Sequence, residues 1–294
     1  MEPLEQRTAA VLGGDARQAW AARALCAADW QVRLWRVPEC PAAPACGETK
    51  ETAEEALEGA RLVLCPVPCK RASAEDWMRL LTPKQTIVGL NLPKSLREFC
   101  DSRGVAAHDL LEREDFITLN AIPSAEGAIA EAIALSPGNL HLSQVLVLGY
   151  GKCGRVLAQK LRGLGAHVTV AARRWESACA AIADGSEALD FLLLPYHMPR
   201  FQYVFNTIPA MVLGELMLNA LPREAVIIDI ASAPGGVDFT VAKQLGIAAK
   251  LCPGLPGKYA PRSAGEAVAQ TARIIWEEQE GNAWGWNKPV LGSD

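Results

Sequence analysis

Residues 144 to 174 read Q-V-L-V-L-G-Y-G-K-C-G-R-V-L-A-Q-K-L-R-G-L-G-A-H-V-T-V-A-A-R-R. Apolar residues 145–148 form a run of strand length, and glycines follow at once in G-x-G-x-x-G spacing. Next come Leu157, Leu161 and Leu164, which are spaced to lie on one face of a helix, and residues 167–171 read as a second strand. The order strand, glycine turn, helix and strand within about 30 residues predicts a Rossmann dinucleotide-binding unit.

Each glycine of this turn has a physical role. Gly149 permits a tight turn, Gly151 lets the backbone approach a pyrophosphate, and Gly154 allows the helix to pack closely on the strand. The helix N-terminus adds free N–H groups and the positive end of its dipole. An ordinary turn could use glycine for geometry alone, but the flanking pattern favours cofactor binding. The predicted contacts are Gly149, Tyr150, Gly151, Lys152, Cys153 and Gly154.

The end of the second strand indicates which dinucleotide is bound. NAD-binding units usually place Asp or Glu about 20 residues after the glycines, to hold the ribose 2′-hydroxyl. Here Arg173 and Arg174 occupy that place, and the first acid is Glu176. Because a guanidinium pairs well with phosphate oxygens, we predict NADP(H) in preference to NAD(H). A solvated basic pair is the alternative.

Composition narrows the class of protein. A chain of 294 residues predicts two domains, and 50% hydrophobic with 21% charged residues is ordinary for a globular protein. A net charge of −4 does not favour nucleic acid or an anionic membrane as a partner. We expect no membrane span and no signal peptide. The nine cysteines lack a C-x-x-C pair, so we expect reduced thiols and no metal site.

A related βαβ pattern opens the chain. Residues 8–12 and 31–37 read as strands and residues 17–27 as the helix between them. When Gly13 is aligned with Gly149, Asp15 falls on Gly151 and Gln18 on Gly154. A carboxylate at the close-approach position would repel a pyrophosphate, so only the second unit is predicted to bind dinucleotide.

Alternating strands and helices predict two doubly wound, parallel-sheet α/β domains with an interdomain cleft. The predicted N-terminal, substrate-side domain covers residues 1–122. The Rossmann NADP-binding domain covers 123–263 and includes a crossover helix, 123–136, buried on nearly all faces. A final helix within 264–294 is expected to return to the first domain. We also predict a helix beginning at Ser73 and an irregular loop over 252–265.

Several stretches together make the chain resemble the family formed by the A subunit of dipicolinate synthase. They are V-L-G-G-D-A-R-Q (11–18), L-N-A-I-P-S-A-E-G-A-I (119–129), V-L-G-Y-G-K-C-G (147–154), F-N-T-I-P-A (205–210), I-D-I-A-S-A-P-G-G-V-D-F (228–239) and P-G-L-P-G-K-Y-A-P-R-S-A-G (253–265). Ser124 and Ser263 stand where the family would have threonine. The architecture is also similar to alanine dehydrogenase and the 2-hydroxyacid dehydrogenases.

The resemblance implies oxidation of a dihydrodipicolinate-type ring from the lysine pathway to dipicolinate during sporulation. It implies a small dicarboxylate substrate, the flavoprotein-like B subunit of the synthase as partner, and the cytoplasm of the mother cell. We also expect a homo-oligomer. Two alternatives stay open: another NADP-dependent amino- or hydroxy-acid dehydrogenase, or a non-catalytic NADP-binding scaffold for a flavoprotein partner.

A dianionic substrate needs cations and hydrogen-bond donors. We predict substrate contacts from Asp15, Arg17, Asn120, Ser124 and Arg262. Arg17 follows a strand end, although an exposed arginine at a helix start would look the same, and Asp15 could orient Arg17 or cap the helix. Arg262 could close over the substrate or be solvated. Glu126 is the candidate general base, or else an acid in the first turn of its helix.

Strand ends in the second domain supply the other candidates. We expect Asn206 and Thr207 to meet the nicotinamide ribose, with Pro209 fixing that turn, and Ala231 and Ser232 to line the nicotinamide pocket. Asp229 is expected to be satisfied by neighbouring backbone N–H groups. Neither His108 nor His197 falls at a predicted strand end of the cleft, so we assign no catalytic histidine.

Overall fold

A computed structural model describes residues 7–42 and 46–281. These residues divide into two compact units. One contains the described residues up to Asn120 and those from Ala260 onward, and the other is Ala121–Tyr259. The C-terminal tail, with the tryptophans at 284 and 286, lies outside the described residues.

The first unit contains a six-stranded sheet in the order β3-β2-β1-β4-β5-β6, and every neighbouring pair is parallel. Its strands are β1 (Thr8–Leu12), β2 (Gln31–Trp35), β3 (Glu48–Thr49), β4 (Leu62–Leu64), β5 (Thr86–Gly89) and β6 (Ala106–Asp109). Its helices are α1 (Ala16–Cys26), α2 (Ala53–Leu57), α3 (Arg71–Glu75), α4 (Lys94–Arg103) and the last helix, α12 (Pro261–Gln279).

The second unit contains a parallel sheet in the order β12-β11-β10-β7-β8-β9. Its strands are β7 (Gln144–Leu148), β8 (His167–Ala171), β9 (Glu187–Leu189), β10 (Tyr203–Asn206), β11 (Val226–Asp229) and β12 (Ala248–Leu251). Its helices are α6 (Lys152–Gly163), α7 (Trp175–Ala183), α8 (Leu194–His197), α9 (Glu215–Ala220), α10 (Phe239–Gln244) and α11 (Leu255–Tyr259). The helix α5 (Glu114–Leu135) contains the chain's passage from the first unit to the second.

The two sheets have the same topology. Counted from the first strand of each unit, both have the order 3-2-1-4-5-6 of a doubly wound dinucleotide-binding fold. The order in which strands are added therefore reverses between β1 and β4 in one sheet and between β7 and β10 in the other, although all strands are parallel. The predicted fold class of two doubly wound parallel sheets is confirmed. No helix in the described residues has the length and apolar character needed to cross a membrane.

The apolar strand β1 lies in the core of the first unit, since all five of its residues are buried. In the first unit, α12 packs against α1, and Ala269, Ala272 and Ile275 of α12 share a core cluster with Ala21 and Leu25 of α1. Gly265 makes this contact close, because a Cβ there would overlap the carbonyl oxygen of Arg17 and lie 2.7 Å from Trp20 Cβ.

The prediction for the crossover helix was wrong in two respects. α5 begins at Glu114 rather than near Pro123, which lies inside the helix. Proline fixes a helical φ, and its missing N–H removes only one helical bond, so a long helix can contain it. The helix is also not buried on nearly all faces, since Ile122 is 42% and Ile133 54% exposed. Ile122 and Ile133 share one exposed side of the helix, whereas residues 121, 125, 128, 129, 131 and 132 are buried around the rest.

Three smaller predictions also fail. The helix placed at Ser73 begins at Arg71 and is capped by Lys70, without a side-chain capping bond. The loop predicted over 252–265 contains α11 and the start of α12. Leu164 is the C-cap residue of α6 and is 46% exposed, so it does not continue the buried face of Leu157 and Leu161.

Substitution Gly265→Ala is expected to destabilise the protein by about 1–3 kcal/mol, the usual cost of overpacking a close helix contact. Gly163→Ala is the matched control, since a Cβ at Gly163 meets no atom within 4 Å. That control should be neutral or stabilising by up to about 1 kcal/mol, because alanine is the better helix former. Denaturant unfolding of both variants gives the comparison, and an equal stability for the two would contradict it.

Candidate functional site

The glycine turn, residues 149–154, joins β7 to α6 at the carboxyl end of the sheet. Gly149 has a φ of +90°, which glycine adopts without the strain that a Cβ would cause. A Cβ at Gly154 would overlap the carbonyl oxygen of Gly149, so the first turn of α6 lies directly on the strand end. Gly151 is the N-cap of α6, and a Cβ there would meet no protein atom within 4 Å. The N-terminus of α6 is therefore open on the side of Gly151.

Thr207 supports this turn from the neighbouring strand. Its Oγ1 donates to the carbonyl oxygen of Leu148 at 2.8 Å, and a Cβ at Gly149 would lie 2.6 Å from Thr207 Oγ1. The backbone N–H of Thr207 also donates to Leu148 O, at 3.0 Å. The threonine side chain thus packs under the glycine turn and joins the ends of β7 and β10.

Asn206 corrects a prediction, because its side chain is buried and cannot meet a ribose. Its Nδ2 donates to Asp229 Oδ1 at 2.9 Å and to Ile208 O at 3.0 Å, while its Oδ1 accepts from Ile208 N at 3.1 Å. Both polar atoms of the amide are used to shape the turn after β10. The residue is fully buried since β10 lies between β7 and β11.

Asp229 is held by the expected backbone donors. Its carboxylate accepts from Ala231 N at 3.0 Å and Gly236 N at 2.8 Å, besides the Asn206 amide. Ala231 is buried, whereas Ser232 and Pro209 are exposed. β11 ends at Asp229.

A pocket of about 410 Å³ opens beside the glycine turn. Its lining comes from that turn, the end of β8 and the first turn of α7, and consists of Gly149, Tyr150, Gly151, Ala172, Arg173, Arg174, Ser177 and Ile208. Five of these were predicted cofactor contacts. Ala172, Ser177 and Ile208 were not, because their small or apolar side chains carry no recognisable signal in the sequence.

The arginine pair is the main positive feature of this pocket. Arg173 and Arg174 are both exposed, and neither forms an ion pair with an acid of the described residues. Arg174 is the N-cap residue of α7. Two unpaired guanidiniums beside an open helix N-terminus form a site suited to anionic oxygens.

Tyr150 has a polar partner outside the glycine turn. Its hydroxyl donates to Asp184 Oδ2 at 2.7 Å. Burial and this hydrogen bond raise the pKa of Tyr150 to about 12, so the phenol is neutral. Of the remaining predicted contacts, Lys152 and Cys153 begin α6 but do not line the pocket. Burial raises the pKa of the Cys153 thiol, which therefore stays protonated.

The equivalent turn in the first unit is filled by protein atoms. Asp15 caps α1 by accepting from Arg17 N at 3.0 Å, and it also pairs with the Arg17 guanidinium at 2.7 Å. Both roles considered for Asp15 are therefore present. Arg17 is only 7% exposed, so the alternative of an exposed helix-start arginine is wrong. Gln18, in the place of Gly154, donates to Leu12 O and Cys65 O, at 3.0 and 2.8 Å.

Glu126 is not placed as a general base would be. It pairs with Lys160 Nζ at 2.7 Å, on an exposed surface beside the C-terminal half of α6. The alternative of a first-turn acid is also wrong, because α5 begins twelve residues earlier. Arg262 pairs with Glu266 at 2.8 Å and lies over the Trp20 ring. Asn120 and Ser124 are half-buried in α5 and engaged in interactions within the protein.

One charged cluster was missed by the sequence analysis. Glu131 of α5 is 3% exposed and accepts from Lys250 at 2.6 Å and Lys258 at 2.5 Å. These hydrogen bonds lower the pKa of Glu131 to about 2. The one available signal was an acid in an otherwise apolar stretch of helix. The cluster fastens α11 and the end of β12 to α5.

Within the described ranges, no group of three or more His, Cys, Asp or Glu side chains could hold a metal ion. All nine cysteines are free thiols. His108 contacts Gln279 through Nε2 at 2.7 Å, and burial lowers its pKa below the ordinary value. It lies in the first unit and forms no ion pair with an acid of the described chain.

The fold and the glycine turn define a protein of two doubly wound α/β units, each with the strand order of a dinucleotide-binding fold. Comparison with solved structures agrees, since an L-alanine dehydrogenase matches with a TM-score of 0.67, covering 93% of this chain and 90% of that one. At 16% identity, this likeness shows the fold alone.

The chain is similar to the A subunit of dipicolinate synthase. Residues 8–111 match the family model that describes the N-terminal domain of that subunit. The A subunit of dipicolinate synthase from Bacillus subtilis (strain 168) is 39% identical over 169 residues, which are 58% of this chain and 57% of that relative. The crystal structure of the A subunit from Bacillus halodurans matches with a TM-score of 0.85 and 27% identity, covering 93% of this chain and 98% of that one. The resemblance predicted from the sequence motifs is confirmed.

The Glu131 cluster predicts acid sensitivity. A carboxyl whose pKa is lowered by folding stabilises the protein above its unfolded value and loses that effect as pH falls through the folded value. The contribution of Glu131 is therefore complete above about pH 5 and lost between about pH 5 and pH 2. Because both lysines are solvent-exposed, we expect the contribution of Glu131 to the free energy of unfolding to be about 1–2 kcal/mol. Glu131→Gln should lower the free energy of unfolding at pH 7. It should also reduce the loss of stability on acidification below about pH 5, and urea unfolding at neutral and at acidic pH measures both effects. Equal pH dependence in the two proteins would contradict this.

Proposed function

We propose that this chain is the NADP(H)-dependent oxidoreductase subunit of a dipicolinate synthase, and that it oxidises a dihydrodipicolinate-type dicarboxylate. The observation that carries the proposal is the pocket beside the glycine turn, bordered by the unpaired Arg173 and Arg174. Support for the reaction comes from the names of the relatives, which match along both units.

The residues of this pocket fit a dinucleotide. The open N-cap at Gly151 leaves space for a pyrophosphate against the backbone N–H groups of α6. Arg173 and Arg174 would hold a 2′-phosphate through charge-assisted hydrogen bonds, and no acid takes the place of a ribose 2′-hydroxyl acceptor. A bound NADP⁺ would supply the hydride acceptor for oxidation of the substrate ring, and the proton that the ring also loses would pass to solvent.

Protein groups supply binding and orientation for this reaction. We propose that Arg17, oriented by Asp15, forms part of the substrate side, because it lies at the carboxyl end of β1, where doubly wound sheets bind ligands. Asn120, Ser124 and Arg262 stay predicted substrate contacts. Glu126, paired with Lys160, is not assigned a role in proton transfer.

The proposal includes a partner, since the relatives are named as the A subunit of a synthase. We infer assembly with a flavoprotein-like B subunit, a homo-oligomeric state, and action in the cytoplasm of the mother cell of a spore former.

Cofactor choice tests the arginine pair. Arg173→Glu should weaken NADPH binding about tenfold to a hundredfold, since one charge-assisted phosphate contact becomes a repulsion, and should change NADH binding little. Arg223→Glu, an equal charge change at an exposed arginine outside the pocket, is the control. Titration of protein fluorescence with each dinucleotide measures both affinities. An unchanged preference in Arg173→Glu would contradict the proposed 2′-phosphate contact.

The reaction itself is tested by ultraviolet detection of dipicolinate. The purified chain, alone and with the B subunit, receives NADP and a dihydrodipicolinate synthase reaction mixture. We expect product with the wild-type chain and none with Gly151→Ala, whose Cβ obstructs the pyrophosphate position without meeting protein atoms. Product only with both chains indicates a shared site or electron path. NADPH binding without product under either condition would favour a scaffold or a different dehydrogenase.

A further inference from the structure

A cluster of three side chains connects the glycine turn to the far end of α7. Asp184 is the C-cap residue of α7. Its Oδ2 accepts from the Tyr150 hydroxyl at 2.7 Å and from Arg155 Nε at 2.8 Å, and Oδ1 lies 3.3 Å from Arg155 Nη2. One carboxylate thus joins the turn, the helix α6 and the helix α7.

A second arginine of α6 completes this contact. Arg155 and Arg162 are seven residues apart, and therefore lie on the same face of α6. A Cβ at Gly185 would overlap the Arg162 guanidinium, so that side chain lies against the end of α7. Hydrogen bonds from Arg155 and Tyr150, with the charges of Arg155 and Arg162, lower the pKa of Asp184, which keeps the carboxylate ionised.

The helix α7 has little apolar packing of its own. Ala181 is its one buried residue, while Trp175 is 74% and Ile182 54% exposed. Polar contacts at its C-terminal end therefore contribute much of what fixes its position. A helix of nine residues is a rigid rod of about 13 Å, so fixing one end also constrains the other.

The other end of α7 carries the arginine pair. Arg174 caps the helix and Arg173 precedes it, and both line the pocket together with Tyr150. The Asp184 cluster is therefore joined to two parts of the pocket wall: directly to Tyr150, and through α7 to the arginines.

We propose that Asp184 is a positioning residue for the dinucleotide, and that it sets the preference for a 2′-phosphate by orienting α7 and Tyr150 against the glycine turn. This inference rests on the proposed function of the pocket. Asp184 does not line the pocket itself. Its effect passes through Tyr150, Arg155 and α7.

Substitution Asp184→Ala distinguishes a positioning role from a purely electrostatic one, since the two predict opposite changes in NADPH affinity. If Asp184 acted only through its charge, removing it would raise the positive potential near the arginines and strengthen NADPH binding. Positioning predicts the reverse. We expect NADPH binding about tenfold weaker, because small misplacements of a binding group are costly, with NADH binding changed less than about twofold.

Two further variants test the two contacts of Asp184 separately. Asp184→Asn keeps an oxygen acceptor for the Tyr150 hydroxyl but loses the ion pair with Arg155, and should give an intermediate loss. Tyr150→Phe keeps the ion pair and should give the smaller loss. Glu187→Ala is the control, since it removes the acid of a surface ion pair, with Arg200, outside the pocket. It should leave both affinities unchanged.

The measurement is the ratio of NADPH to NADH dissociation constants, with thermal unfolding of each variant to establish that it is folded. A lower preference for NADPH in folded Asp184→Ala supports the inference. Wild-type binding with an unchanged or higher preference in that variant overturns this inference alone. If the wild-type chain binds neither dinucleotide, the proposed function fails, and the inference fails with it.

Discussion

The candidate site depends on one steric constraint, the contact of Gly154 with the carbonyl of Gly149. With no Cβ at Gly154, the first turn of α6 can lie directly on the end of β7. The helix N-terminus then opens at Gly151, and its N–H groups are available to an anion. Thr207 packs under Gly149 and holds the same strand end from the side of β10. A side chain at Gly154 would force α6 away from the strand end.

Most buried polar groups near this turn form hydrogen bonds within the protein, so few of their donors and acceptors are available to a ligand. The Asn206 amide uses both polar atoms on the turn after β10, and Asp229 accepts from three donors around it. A buried polar group left without partners would cost free energy, which these bonds avoid. Because these groups are satisfied internally, the exposed Arg173 and Arg174 stand out as the cations available to a ligand.

Comparison of the two units shows how one topology can carry different local chemistry. Both sheets share the same strand order, and both turns begin with a glycine of positive φ, Gly13 and Gly149. In the first unit, however, a carboxylate caps the helix and Gln18 bridges two carbonyl oxygens where the second has Gly154. The side chains of the first turn therefore fill the space that stays open in the second.

The sequence by itself determined the alternation of strands and helices, the glycine turn and the arginine pair, because these depend on local periodicity and on residues adjacent in the chain. It misjudged the start of α5, since a proline inside a helix resembles a helix start. Only the tertiary structure decided the strand order, the burial of Asn206, and the pairing of Glu126 with Lys160. It alone brought Asp184 to Tyr150 and Glu131 to its two lysines. These ion pairs and hydrogen bonds join residues 34 to 127 positions apart, and no local pattern specifies which distant partner a charged side chain will meet.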